Sequence, residues 1–508
     1  MRGNLVVPIY RFGTGSKGAG LFRSIVLVFL TLSFLLTPST DSRAAGIKVT
    51  TTSDLPASAT NGGCGLRQAI QAAQTNQSAG GCHPGQGADK VLLSPGNYRL
   101  SIPGAGEDNN ATGDLDIWSN EGLTVAAGNP RRATTITGNG EDRVLHVLRD
   151  ARLTLTGLAV TGGRITDRGI NQFESGAGIA VEGDQVLVTD QPLPEGSYSH
   201  QGQLRIDRVS VFGNTSDFFG GGIFTGGDLT ATNSTVAGNH AKAGGGGIAV
   251  TAFGNLSGTN LTVSANSSEA GSGGVHVDEY PLRHYMPPAG MAVFTDSILA
   301  GNKGVTPDCF ALFGFRYPIE LNRVLLSSAQ DMAKCQATEE SSTTRVGWTG
   351  LSPLALKSGA RVMTPLPGSP AVLKAPSRSC LSTDQLARRR GNRCDLGATR
   401  YQGPFPFTTL KLKTTRTANS PGTTTVKAKV TLAGPGRAFN TRICLTAKTI
   451  RSFKPAGKRC HNLGTTKPGT PETVTYTLEP RPGSKTARAT LKLTATNYRT
   501  RTSAVRIR

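Results

Sequence analysis

Carboxylates are the residues of this chain best suited to attack a polymer, and their spacing decides whether they could. Asp114 and Asp116 alternate in Gly113-Asp-Leu-Asp-Ile117, so an extended strand would place both on one face. An inverting hydrolase needs two carboxylates flanking one bond, and a calcium-assisted elimination needs about three converging acids beside a basic side chain. Alternate residues of an N-terminal strand more often bond turns, and the chain contains no Asn-Thr-Asp, Asp-Asp or Gly-His-Gly. Asp207, Asp228 and Asp296 fall at different offsets of the repeat described below, and the column Gly157, Arg208, Asn233, Asn260, Asp296 holds a single acid. With no C-x-x-C and no His-x-x-x-His spacing either, no catalytic residue, metal or cofactor is expected.

Two further groups could bind rather than react. Tyr198 and His200 stand in one long insertion, Tyr280, His284 and Tyr285 in another, and Phe224 and His276 on strands between them. Aromatic walls with polar tips suit the stacking of sugar rings; equally, such rings could pack their own loops. The second group is basic. Residues 405–508 hold 21 Lys/Arg against Glu472 and Glu479, a net of +19 out of +22 for the chain. Lys427, Lys429 and Lys492 fall on the outward positions of alternating strands, so polyanions are the expected partners of this segment. Sequence-specific nucleic-acid recognition is not expected, because no reading motif is present.

The elements that must position these groups repeat. Leu204 to Asn214, Leu229 to Asn239 and Leu256 to Asn266 share one template, and each is followed by Gly-Gly-Ile223, Gly-Gly-Ile248 or Gly-Gly-Val275. The interval is 25 residues and then 27, built of short alternating strands with Asn and Gly at fixed offsets, which is what a β-solenoid coil requires. The Asn column is expected at turns that tolerate left-handed backbone. The insertions 182–203 and 278–290 leave the same corner, three coils and about 14 Å apart. Beyond Pro404-Phe-Pro406, alternating segments such as Val426–Leu432 predict an immunoglobulin-like β-sandwich.

The repeat resembles the GGA[ILV]/FxxN repeats of polymorphic outer-membrane proteins and, more broadly, right-handed parallel β-helices of the pectate-lyase-like kind. Cys64-Gly-Leu-Arg-Gln-Ala69, with Leu66, Ala69, Ile70 and Ala73 on one helical face, resembles the CSLREA motif at the N-terminus of secreted β-helix proteins, with Gly65 for its Ser and Gln68 for its Glu. The match extends through Gly87–Tyr98, Gly113–Ile117 and Asp142–Val147. Gly368–Val372, Thr383-Asp-Gln385 and Cys394–Ala398 resemble a choice-of-anchor Q segment, in which Asp384 and Asp395 are expected to bond turns. These resemblances imply an all-β chain: a right-handed parallel β-helix with a short N-terminal capping helix, then the sandwich.

Export is expected. Arg2, Arg11, Lys17 and Arg23 precede an apolar core from Ile25 to Leu36 and a small-x-small site at Ser42-Arg-Ala44, so no span remains after cleavage. Eight cysteines form four neighbouring pairs, Cys64/Cys82, Cys309/Cys335, Cys380/Cys394 and Cys444/Cys460, as local disulfides of an oxidising compartment. The expected organisation is a signal peptide (1–45), cap and first coils (46–145), repeats (146–308), closing coils (309–403) and basic sandwich (404–508). The expected role is that of a secreted or cell-surface adhesin or glycan-binding protein partnered by cell-wall or extracellular polysaccharide; a polysaccharide lyase or glycoside hydrolase is the alternative.

Overall fold

The computed structural model describes residues 44–167, 175–183, 200–251, 253–277, 291–311, 319–327, 335, 344–345, 349–366, 369–372, 380–391, 395–401, 409–419, 422–433, 438–466, 469–483, 488–495 and 498–507. Short strands recur in a fixed order. One coil runs Arg152–Thr156, Ala159–Thr161, Arg164–Ile165 and Ile179–Val181, and the next runs Gln203–Asp207, Ser210–Phe212, Thr215–Ser216 and Ile223–Thr225. Each strand pairs in parallel with its counterparts on neighbouring coils. Equivalent positions therefore collect into a first, second and third sheet of nine, nine and seven strands, with a four-stranded ladder between the second and third. This is the stacked, mostly parallel all-β arrangement of a parallel β-helix. The described strands from Thr409 to Arg506 form two four-stranded antiparallel sheets around a separate core that includes Val426, Val430, Ile443, Tyr476 and Leu491.

Alternation makes the stack. On the first sheet Leu153, Leu204, Leu229 and Leu256 lie in register and are buried, while Thr154, Arg205, Thr230 and Ser257 between them face outward. Each buried Leu contributes roughly 1.5–3 kcal/mol, but only once a neighbouring coil covers it. Side-chain volumes compensate along a column: Phe294 is fully buried opposite Gly258, where an added Cβ would come within 2.9 Å of the ring.

The two Asn columns do different work. Asn233, Asn260, Arg208 and Asp296 take positive φ, between 47° and 57°, at the corner between the first and second sheets, as expected of the column that Gly157 opens. Asn214, Asn239, Asn266 and Asn302 do not. They form a buried amide ladder in which each Nδ2 donates to the Oδ1 of the next residue at 3.0–3.1 Å, ending on Asp308 at 3.2 Å. Each of the last three also donates to a valine carbonyl of the preceding coil. The left-handed residue there is the one before the Asn: Gly213, Gly238, Ala265 or Gly301. Four stacked amides satisfy one another because each carries both donor and acceptor.

The helix Leu66–Thr75 buries Leu66, Ala69, Ile70 and Ala73, together with two polar residues. Arg67 is fully buried. It pairs with Asp54 at 2.9 Å and donates to the carbonyls of Thr112, Gly113 and Asp114, which fastens the helix to the start of the third sheet. Gln68 accepts from the Gly65 N–H and donates to the carbonyls of Pro56 and Ala59, donations that a Glu could not make. Residues 380–391 and 395–401 bond the flank of the stack. Gln385 bonds Val209, Ser210 and Thr235, Arg390 bonds Asn233, and the N–H groups of Gly397 and Ala398 bond Asp296 and Thr262. Asp384 accepts from the backbone of Leu386, Arg388 and Arg400, and Asp395 from Tyr401, which makes them the expected turn residues.

Candidate functional site

Outward positions of the third sheet form one column: Asp116, His146, Ala180, Phe224, Ala249, His276 and Phe310 sit opposite one another on consecutive strands. Loops fold back over this face, so Asp116 and His146 are buried although they point away from the core. At the N-terminal end the column is charged. His146 Nδ1 lies 3.3 Å from Asp108 Oδ1 and 3.4 Å from Asp116 Oδ1, and its Nε2 lies 3.4 Å from Glu182 Oε1. Asp114, the residue before the strand Leu115–Ile117, is also buried and is paired with Arg143 at 2.9 Å.

The electrostatics follow from this packing. Burial alone would depress the His146 imidazole, but Asp108, Asp116 and Glu182 around it prevail and raise it to about 10. Burial pushes Asp116 up despite His146 and the Asn110 N–H. His146 holds Asp108 down, and it also lowers Glu182 against the effect of burial. Desolvation raises Asp114 to about 7 against the pull of Arg143. Asp114 and Asp116 are both fully buried, so neither reaches a bond in a solvent-exposed polymer.

The C-terminal end of the same column is apolar. His276 lies between the rings of Phe219 and Phe310, each at 5.3 Å, and burial lowers it to about 4. It is only 6% exposed and so does not present a free ring to a ligand. Phe224 is half-buried, and His200 is exposed with Nδ1 2.9 Å from Asp150. The structure thus keeps Phe224 and His276 in the expected column; Tyr198, Tyr280, His284 and Tyr285 lie outside the described residues.

A second feature was not singled out in the sequence. The outer face of the first sheet carries a trough of about 640 Å³ crossing six strands. Two polar columns line it: Arg152, Gln203, Asp228 and Asn255, and beside them Thr124, Thr154, Arg205, Thr230 and Ser257. Two polar outward residues on a strand look like an ordinary solvent face, and only the stacking aligns them along the coil axis.

In the antiparallel segment, Lys427, Lys429 and Lys492 are exposed. Lys413 sits directly opposite Lys429, a like-charge pairing that disfavours the fold unless a counter-charge approaches. Disulfides join Cys64 to Cys82, Cys309 to Cys335 and Cys444 to Cys460, and Cys394 lies outside the described residues. No helix among the described residues is long and apolar enough to cross a membrane. Comparison with protein-family models, with curated proteins and with solved structures gives no match for this chain.

Proposed function

We propose that this is a secreted or cell-surface, non-catalytic right-handed β-helix protein that binds an extended acidic polysaccharide, with a cationic immunoglobulin-like domain that retains it on polyanionic wall polymers. The observation that carries this reading is the trough on the first sheet. A linear polymer presents hydroxyls at a regular spacing, and a face that repeats Gln203, Asp228, Asn255 and threonines every strand offers matching donors and acceptors over about 24 Å. Arg152 and Arg205 outnumber Asp228, which favours a polymer bearing carboxylates or sulfates.

Replacing Arg152 and Arg205 by Ala together is expected to weaken binding to acidic polysaccharides on a glycan array at least tenfold, because each removes a charge-assisted hydrogen bond worth roughly 1.5–3 kcal/mol. Unchanged binding would sink the reading. The triple variant Phe224→Ala, Tyr280→Ala, His284→Ala tests the aromatic corner in the same assay. For the cationic domain, Lys427→Glu, Lys429→Glu and Lys492→Glu together should lower the salt at which the full chain elutes from heparin. The lyase or hydrolase alternative has less support, since the alternating pair Asp114 and Asp116 is fully buried. Release of reducing ends or of unsaturated uronates from acidic polysaccharides, with or without calcium, would replace the binding role with a catalytic one.

A further inference from the structure

We infer that Asp108, Asp116 and His146 form a binding site for a divalent transition-metal ion of the zinc class, with Glu182 orienting the imidazole. The three donor atoms, Asp108 Oδ1, Asp116 Oδ1 and His146 Nδ1, all lie within 4.8 Å of one another. Their separations from Nδ1, 3.3 and 3.4 Å, are longer than an ordinary N–H···O bond of about 2.7–3.2 Å. They match, however, the two edges that meet at the nitrogen in a tetrahedron of ligands about 2.0–2.1 Å from zinc, and the two carboxylate oxygens lie within 4.8 Å of each other.

Two of the donors are left without a hydrogen-bond partner. Asp116 Oδ1 and His146 Nδ1 are both unpartnered, on residues that are 0% and 4% exposed. Buried polar atoms are normally satisfied, because an unsatisfied one costs roughly 1–3 kcal/mol, and one shared cation would satisfy both.

The surroundings hold these donors in place. Asp116 uses its other oxygen to accept from the Asn110 N–H at 2.8 Å, which leaves Oδ1 directed at the imidazole. Glu107 accepts from the N–H groups of Asn109, Ala111 and Thr112, fixing the loop that carries Asp108. Glu182 is tethered through Oε2 to the Arg149 N–H and faces Nε2 with Oε1. With a metal bound, the ion would take the place of the Nδ1 proton while the carboxylate at Nε2 keeps the other ring proton, which is how a histidine ligand is usually supported. The side chain of Asp108 is 57% exposed, so the site opens to solvent on that side and the fourth position is free for water or a ligand oxygen.

The full secreted chain, stripped with EDTA and free of any tag, should bind one zinc ion per molecule by native mass spectrometry and calorimetry with zinc chloride, while calcium chloride binds far more weakly. His146→Gln should abolish that binding, and Glu182→Gln should weaken it by about 10–100-fold, the usual effect of losing a supporting carboxylate. Because His146→Gln could disturb folding, Asp108→Asn decides the matter: it changes one exposed side chain and should lower zinc affinity at least tenfold with an unchanged circular-dichroism spectrum. His276→Gln and His200→Gln should bind as the wild type does. Absence of stoichiometric zinc in the wild-type chain, or zinc affinity unaltered in Asp108→Asn, overturns the proposal and leaves the cluster as an imidazolium held among three carboxylates.

Discussion

His146 and His276 occupy the same column of the third sheet, four strands and about 19 Å apart, yet they are driven in opposite directions, one to about 10 and the other to about 4. Burial is nearly equal, at 4% and 6% exposed. What differs is the neighbours that the coils supply: three carboxylates at one end, two phenyl rings at the other. A solenoid fixes position along the column without fixing chemistry, so each coil can surround the same site with a different environment. The charged end is where a ligand for the imidazole is worth looking for, and the apolar end is a packed neutral ring.

The sharpest way to break the comparison is to remove the charged ring. In the presence of a chelator, His146→Leu removes the cation between buried Asp116 and Glu182 and leaves Glu182 only Arg149, 3.6 Å away, so a cost of about 3–5 kcal/mol in unfolding free energy is expected from urea titration. Adding Asp116→Asn should recover part of it; if the single variant costs less than about 1 kcal/mol, the cluster is far better hydrated than its burial implies. The matching experiment at the other end uses pH. Because burial lowers the folded His276 from the ordinary 6.5 to about 4, the unfolded chain takes up a proton first as pH falls. The stability due to the neutral ring is therefore complete above pH 6.5 and lost as pH drops to 4, by about 3 kcal/mol. His276→Phe should remove that slope, and comparing it with wild type cancels the carboxylates titrating in the same window. Parallel profiles for the two proteins would mean that His276 is not desolvated in the native state.

The column itself was legible in the sequence, because a repeat with one apolar and one outward position per strand assigns Ala180, Phe224, Ala249 and His276 to the same line without any coordinates. The exposed lysines and the turn-bonding Asp384 and Asp395 followed from the same alternation and from local backbone chemistry. The metal-like cluster was not, since Asp108, Asp116 and His146 belong to a loop and two successive strands, and a separation of 30 positions from Asp116 to His146 resembles no ligand spacing. Their shared strand register was the only available signal: Asp116 and His146 occupy the third-sheet position in two successive coils. The Asn ladder reads in the sequence as a column of turns for a related reason. A turn-forming Asn and a stacking Asn recur at the same period, and only the preceding Gly or Ala shows which residue takes the left-handed backbone. The trough is not legible in the sequence because its lining residues are ordinary surface residues one at a time.

The smallest expected effect tests whether the rings alone cause the depression of His276. Phe219 is half-buried and reaches His276 from the loop that folds back over the column. Phe219→Ala opens that side of the imidazole to water, so its charged form becomes easier to reach and the pKa should rise by about one unit, or roughly 1.4 kcal/mol of the differential. Phe219→Leu keeps an apolar cover and should leave the value near 4. Titration of the His276 ring protons by NMR reads both variants directly, independent of unfolding. If Phe219→Ala titrates as the wild type does, the desolvation comes from the backbone glycines at 244 and 271, where an added Cβ would lie 2.7 and 3.1 Å from Nδ1. The contrast with His146 would then rest on how closely the coils pack rather than on which side chains they carry.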